Sequence, residues 1–164
     1  MRHLSLVILP FLLTACGDAP DVVDEAPPAP PAVSTEVSVV ATSQQSSWEE
    51  VLEVLLTTPD AWAAAWGHLH DGIAPPPPMP EVDFTTQRVM IITAGSRPSG
   101  GFALSHERTE VAGDTLVLDV TLSVPGPSCA TTQALTSPAL ALALPLLPAA
   151  VVVRRSEQVQ GCDP

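Results

Sequence analysis

The chain has no lysine and no tyrosine, and its aromatic residues amount to only 4%. All of its Lys-plus-Arg charge is therefore six arginines, set against eighteen Asp and Glu, for a net charge of −12 at pH 7. Phosphate binding needs a basic surface, so nucleic acid is excluded as a partner. An acidic balance of this kind serves solubility. Cysteines number only three, an odd count that leaves one without an intramolecular partner. Long apolar runs are also missing. The stretch from Leu4 to Leu13, broken only by Ser5 and Pro10, is too short to cross a bilayer as a helix.

Catalytic and metal-binding patterns are equally scarce. Ser105 adjoins His106, but neighbours on a strand point to opposite faces. Ser99 sits among glycines without the Gly-x-Ser-x-Gly spacing or the strand-to-helix context of a nucleophile elbow. His68 and His70 diverge by about 200° on a helix and have no acid or Cys at ligand spacing, so they form no zinc site. Asp71, Asp83, Asp114 and Asp119 fall where turns or solvent faces would put them. The sequence is that of a non-enzyme that calls for no cofactor and no metal.

What is present begins with a leader. Met1-Arg2-His3 precedes the apolar run, which ends in Leu13-Thr14-Ala15-Cys16. That tetrapeptide resembles the lipobox of bacterial lipoproteins. The resemblance implies a signal peptide over 1–15, cleavage before Cys16, and acylation of Cys16 with diacylglycerol and palmitate-type chains. Each buried CH₂ contributes about 0.8 kcal/mol, so two or three chains hold the protein on the membrane without crossing it. Gly17, in place of the Asp that retains many lipoproteins at the inner membrane, points to the outer membrane of a bacterial envelope.

Residues 16–46 read as a tether. Pro20, Pro27, Pro28, Pro30 and Pro31 mingle there with Asp21, Asp24, Glu25 and Glu36, a composition that stays extended and unfolded. About 30 such residues reach roughly 30 Å as a coil and about 90 Å in polyproline form. Val37-Ser38-Val39-Val40 is a minor strand candidate within it.

Residues 47–164 hold the folded part. Thr58-Pro59-Asp60 predicts a helix start, with an N-cap, proline at the first position and an acid in the first turn. Trp62, Trp66 and Leu69 then fall on one face, and Gly72 stops the helix. Val51 to Leu56 fits a strand or a helix turn. A stiff proline connector over 74–80 leads to Val82-Asp83-Phe84. The run 88–94 and the alternation from Phe102 to Arg108 predict two strands. Leu116, Leu118, Val120, Leu122 and Val124 alternate with polar or smaller residues and predict a strand with one buried face. The apolar run 139–147 is either core or an exposed edge that a subunit covers. A last strand follows at Val151-Val152-Val153. The sum is mainly β or α+β: an antiparallel sheet or sandwich of five to six strands carrying one short helix, preceded by a disordered tether. With Cys16 lipidated in an oxidising compartment, Cys129 and Cys162 are expected to form a disulfide.

The stretch Gly95-Ser96-Arg97-Pro98-Ser99-Gly100-Gly101-Phe102 joins two of these strands. Three glycines and a proline in eight residues predict a tight turn with positive φ. It is either a plain hairpin connection or a rigid tip that a partner reads. Taken in order, the Trp-bearing helix, Val82-Asp83-Phe84, this glycine loop, Pro125-Gly126-Pro127 and Thr132-Gln133-Ala134-Leu135-Thr136-Ser137-Pro138 resemble the C-terminal domain of the PrcB family over 51–153. That family is named for a lipoprotein subunit of a spirochaete surface protease complex. The resemblance implies a non-catalytic domain that binds or stabilises a protease. Its partner-binding loop would comprise Arg97, Pro98, Ser99, Gly100, Gly101 and Phe102, with Thr136, Ser137 and Pro138. The chain departs from the family at Ala139, where a Tyr is usual. A lesser likeness is to chagasin-type protease inhibitors, whose Asn-Pro-Thr-Thr-Gly loop Arg97-Pro98-Ser99-Gly100 partly echoes. A purely structural envelope lipoprotein is the third reading. The expected partners are one protein and a membrane reached through lipid alone.

Overall fold

A computed structural model describes residues 36–162. Cys16, the 1–15 leader and the tether up to residue 35 lie outside the described residues. Seven strands and one helix follow in the order β1 (Ser38–Ser43), β2 (Glu53–Leu56), α1 (Pro59–Leu69), β3 (Gln87–Thr93), β4 (Ala103–Ala112), β5 (Thr115–Pro125), β6 (Ala139–Pro145) and β7 (Ala150–Gln160). They form a four-stranded sheet ordered β1-β6-β3-β2 and a three-stranded sheet ordered β4-β5-β7. The expected sheet or sandwich with one short helix is present.

The layers follow from side-chain size. β6 alternates alanine and leucine and is buried throughout. Successive side chains point to opposite faces, so Leu140, Leu142 and Leu144 enter the space between the sheets. There they meet Met90 and Ile92 of β3 and Leu116, Leu118, Val120 and Leu122 of β5. Ala139 and Ala141 face the other way, beneath Trp62, Trp66 and Leu69 of α1. A small residue on that face leaves room for an indole above it. The apolar run is thus the central strand of a helix–sheet–sheet stack, and its core alternative holds.

Two features differ from the sequence reading. The strand count is seven, because the minor strand candidate at Val37-Ser38-Val39-Val40 does pair: Ser38–Ser43 runs antiparallel to β6 inside the stretch assigned to the tether. β6 has two edges, β3 covers only one, and the Val-rich segment closes the other. The second difference is that β7 runs parallel to β5 over eleven residue pairs, so the sheets are not wholly antiparallel. β6 carries the chain into the other sheet and back, which returns β7 in the same direction as β5.

Helix α1 starts as its sequence predicts. The Thr58 hydroxyl accepts from the Ala61 N–H at 3.3 Å, with Pro59 and Asp60 in the first turn. The proline connector does more than space two elements. The Trp62 and Trp66 indole N–H groups donate to the carbonyls of Pro80 and Pro77 at 3.1 and 2.9 Å. A run of prolines supplies no N–H groups to take up carbonyls within the run, which leaves them for the indoles.

Arg88 of β3 is buried without an ion pair among the described residues. Its guanidinium donates to the Pro145 carbonyl at 3.0 Å, to Ala149 at 2.7 Å, and to Pro148. Burial lowers its pKa from the ordinary arginine value, and the group stays charged at working pH. One cation thus fastens the β6–β7 turn. Arg88→Met is expected to cost about 2–3 kcal/mol, because it strands three carbonyls that a thioether cannot satisfy. Chemical denaturation of the variant against wild type measures the loss.

On the outer face of the second sheet, Asp119 sits between Arg108 and Arg154 at 3.1 and 2.8 Å. Burial works to raise its carboxyl, and the hydrogen bonds and charges of the two arginines outweigh that, holding it below the ordinary carboxylate value.

Candidate functional site

The glycine loop leaves β3 at Ala94 and enters β4 at Ala103. Gly95 has φ +73°, and a Cβ there would stand 3.0 Å from the Glu49 carbonyl and 3.1 Å from the Val51 nitrogen. The close approach lets the Ser96 N–H donate to Glu49 at 2.9 Å. Glycine is thus required both for its conformation and for its lack of a side chain.

The second motif stretch packs against the first. Arg97 and Thr136 exchange both backbone hydrogen bonds, at 2.7 and 3.0 Å. The Gly100 N–H donates to the Thr132 carbonyl at 3.0 Å. The Thr136 hydroxyl donates to the Ser99 carbonyl at 2.8 Å. A Cβ on Gly100 would lie 2.5 Å from the Thr132 hydroxyl, which would have to rotate away to admit it. Two stretches some 35 residues apart therefore form one loop-built face.

Ser137 continues the seam toward the N-terminal segment. Its N–H donates to the Gln44 carbonyl at 2.9 Å, its carbonyl accepts the Ser46 N–H at 3.0 Å, and its hydroxyl donates to the Trp48 carbonyl. Thr136, Ser137 and Pro138 are buried, and the hydrogen bonds of Thr136 and Ser137 are made within the fold. Their position is that of a support. Phe102 is half-buried and packs on the inter-sheet core. Ser96, Pro98 and Gly101 are exposed, as are Gln133 and Ala134, and Leu135 is 73% exposed beside them.

Arg97 is held through its side chain as well as its backbone. Its terminal nitrogen donates to Ala94 at 2.8 Å, and its guanidinium lies 5.6 Å from the centre of the Phe102 ring. That places a cation over an aromatic ring at favourable distance. Its Nε is buried and has no hydrogen-bond partner.

Two concavities adjoin this face. A shallow groove of about 350 Å³ runs past Ser96, Leu135, Glu49 and Asp71. A smaller cavity of about 140 Å³ is lined by Arg97 itself with Leu104, Val120 and Leu122. Sequence reasoning gave 44–46 to the tether on their polar composition and assigned no site role to 47–51, although residues of this segment line both.

The residues weighed for catalysis are apart. The Ser105 hydroxyl donates to Glu107, and His106 Nε2 lies 2.9 Å from the Thr109 hydroxyl. A Ser–His contact that the sequence does not betray joins Ser47 to His68 Nδ1 at 2.7 Å. The Ser47 N–H also donates to the His68 carbonyl at 2.9 Å, so this serine ties the segment to the end of α1. The His70 ring packs tilted against Trp66, with ring centres 4.1 Å apart. Among the described residues no group of three or more His, Cys, Asp or Glu gathers as a metal site, and no helix is long and apolar enough to cross a membrane.

Cys129 and Cys162 form a disulfide across 33 residues. Beside it the Gly126 N–H donates to the Gln160 carbonyl at 3.0 Å, and the Ser128 hydroxyl to the Cys162 carbonyl at 3.1 Å.

Fold and site together define a helix-backed β-sandwich domain with a rigid face made from two loops. Residues 88–145 match the family described as PrcB C-terminal, the family whose motifs this sequence resembles. The match runs from Arg88 to Pro145, spanning β3 to β6 and both loops of the candidate face. No curated protein and no solved structure matches the chain.

Proposed function

We propose that the protein is a lipid-anchored lipoprotein of the bacterial outer membrane, whose folded domain is a non-catalytic protein-binding module accessory to a surface protease. The observation that carries this reading is the joining of 95–102 and 132–138 into one cross-braced face. A face already held by hydrogen bonds loses little conformational entropy when it docks. The match to a protease-complex family over the strands that bear this face supports a protease as the partner. Arg97 and Thr136 hold the loop flat against its neighbour, which favours a docking surface over an inserted inhibitory wedge.

The groove edge supplies the contacts. Leu135 is exposed next to Ser96, with Glu49 and Asp71 along the rim, and an exposed leucine in such a setting is a natural anchor for a partner. Leu135→Asp is expected to reduce capture of the protease by about tenfold or more, in line with the loss of an interface anchor. Its melting temperature should stay at the wild-type value, because an exposed side chain contributes little to folding. The measurement is co-purification from native membranes with the captured chain identified as a protease. Undiminished capture by the variant would remove this face from the interface.

A further inference from the structure

We propose that the 140 Å³ cavity beside Arg97 is a binding site for a carboxylate carried by a partner polypeptide, with Arg97 as its counter-ion. The proposal rests on the protein-binding reading and adds to it the chemistry of one contact.

Acids outnumber arginines three to one in this chain, yet Arg97 makes no ion pair among the described residues. The other arginine in the cavity wall, Arg155, is occupied. It pairs with Glu53 at 2.8 Å and donates to the carbonyls of Thr93 and Leu52 at 2.9 and 3.1 Å. Arg97 instead keeps a buried Nε–H with no acceptor. No carboxylate of the fold neutralises Arg97, and its side chain forms part of the cavity wall, so an acid entering the cavity meets a counter-ion there.

The walls select what kind of acceptor. Leu104, Val120, Leu122 and Val51 are apolar. Apolar walls weaken the hydration of the guanidinium and strengthen its attraction to an opposite charge. A carboxylate accepts from the fork of an arginine in a way that one carbonyl oxygen cannot. The volume equals about four or five waters at roughly 30 Å³ each, enough for a carboxylate and a short aliphatic group. Arg97 is also pre-positioned, held by Ala94 and laid over Phe102, so little side-chain freedom remains to be lost. Glu157 stands in the lining as well and opposes an incoming anion. The site is therefore tuned to modest affinity, as one contact within a larger interface.

The test follows the Arg97 Nε–H resonance by NMR in the full chain during titration with three probes. Acetyl-Ala-Val offers a terminal carboxylate, acetyl-Asp-Ala-amide a side-chain carboxylate, and acetyl-Ala-Val-amide no charge. At least one carboxylate is expected to shift the resonance and to bind tenfold or more tightly than the neutral amide. Which of the two does so identifies the source of the acid. Arg97→Gln should abolish the difference between charged and neutral probes. Val51→Glu, at a position 59% exposed and so without folding cost, should weaken carboxylate binding at least fivefold. Glu157→Gln should strengthen it about two- to fivefold. Equal response to all three probes, or no shift at Arg97, overturns the proposal. If the probes fail while Leu135→Asp still abolishes protease capture, the pocket falls and the binding module stands. If carboxylates bind but the wild-type chain captures no protease, the pocket stands and the protease reading falls.

Discussion

Trp62→Ala is expected to remove about 3–5 kcal/mol from the stability of the folded domain, as large-to-small changes of buried tryptophan do. For a domain of this size the melting temperature should fall by about 10–20 °C. Trp62 is 2% exposed and lies at the meeting point of three elements. Its ring packs on the alanine face of β6, beside Val89 and Ile91 of β3. It meets Trp66 edge-on, with centres 5.3 Å apart. Its N–H reaches back to Pro80 and holds the proline connector against the helix. Truncation thus opens a cavity that flat alanine neighbours cannot fill, and it frees the strap as well. Trp62→Phe separates the two effects, since it keeps most of the ring and loses only the N–H. That variant should cost about 1–2 kcal/mol, the range of one hydrogen bond plus a small void. Far-UV circular dichroism during heating measures both. A loss below about 1 kcal/mol for the alanine variant would mean that α1 is not a structural layer of the core.

How much of this was legible in the sequence depends on whether a residue's partner is near in the chain. The N-cap at Thr58 and the Trp62–Trp66–Leu69 face are local signals, and each predicts its element directly. The alternation of Leu116, Leu118, Val120 and Leu122 likewise announces a strand with one buried side. β1 is different. Its residues sit in a polar, acidic surrounding, and only the open edge of β6, a hundred residues later, gives them something to pair with. The direction of β7 is not written in its own residues either, because it follows from β6 having crossed to the other sheet. The same contrast divides the candidate site. Three glycines and Pro98 mark a turn wherever they occur. That Thr136 and Ser137 brace the turn from within depends on hydrogen bonds to Arg97, Ser99, Gln44 and Trp48, which no spacing rule anticipates. The unpaired Arg97 became visible only once the carboxylates had been placed elsewhere.

Replacing Cys129 and Cys162 together by serine is expected to cost about 3–4 kcal/mol, the chain-entropy value for closing a loop of this length. β7 explains why the fold depends on that closure. It is an edge strand, mostly exposed, and its one strand neighbour is β5, paired in parallel. Its entry is fastened by Arg88, which grips the carbonyls of Pro145, Pro148 and Ala149. Its middle is tied across to the first sheet by Arg155. Its exit is held by the Gly126–Gln160 hydrogen bond and the disulfide beside it. Without the disulfide, the last pairs of the β5 ladder, that backbone hydrogen bond and the Ser128 contact must hold the end of an exposed edge strand, and strand ends so placed open readily. Hydrogen exchange in the double-serine variant should therefore accelerate at Glu157, Gln158, Val159 and Gln160. Val151 and Val153, close to the Arg88 anchor, should keep wild-type protection. Arg88→Met should give the reverse pattern, with loss at the entry of β7 and retention at its exit. In the wild-type chain, alkylation should reach neither Cys129 nor Cys162 until a reductant is added. Free thiols at both positions, or uniform exchange along β7 in the two variants, would show that the strand is held by its pairing with β5 and not by its ends.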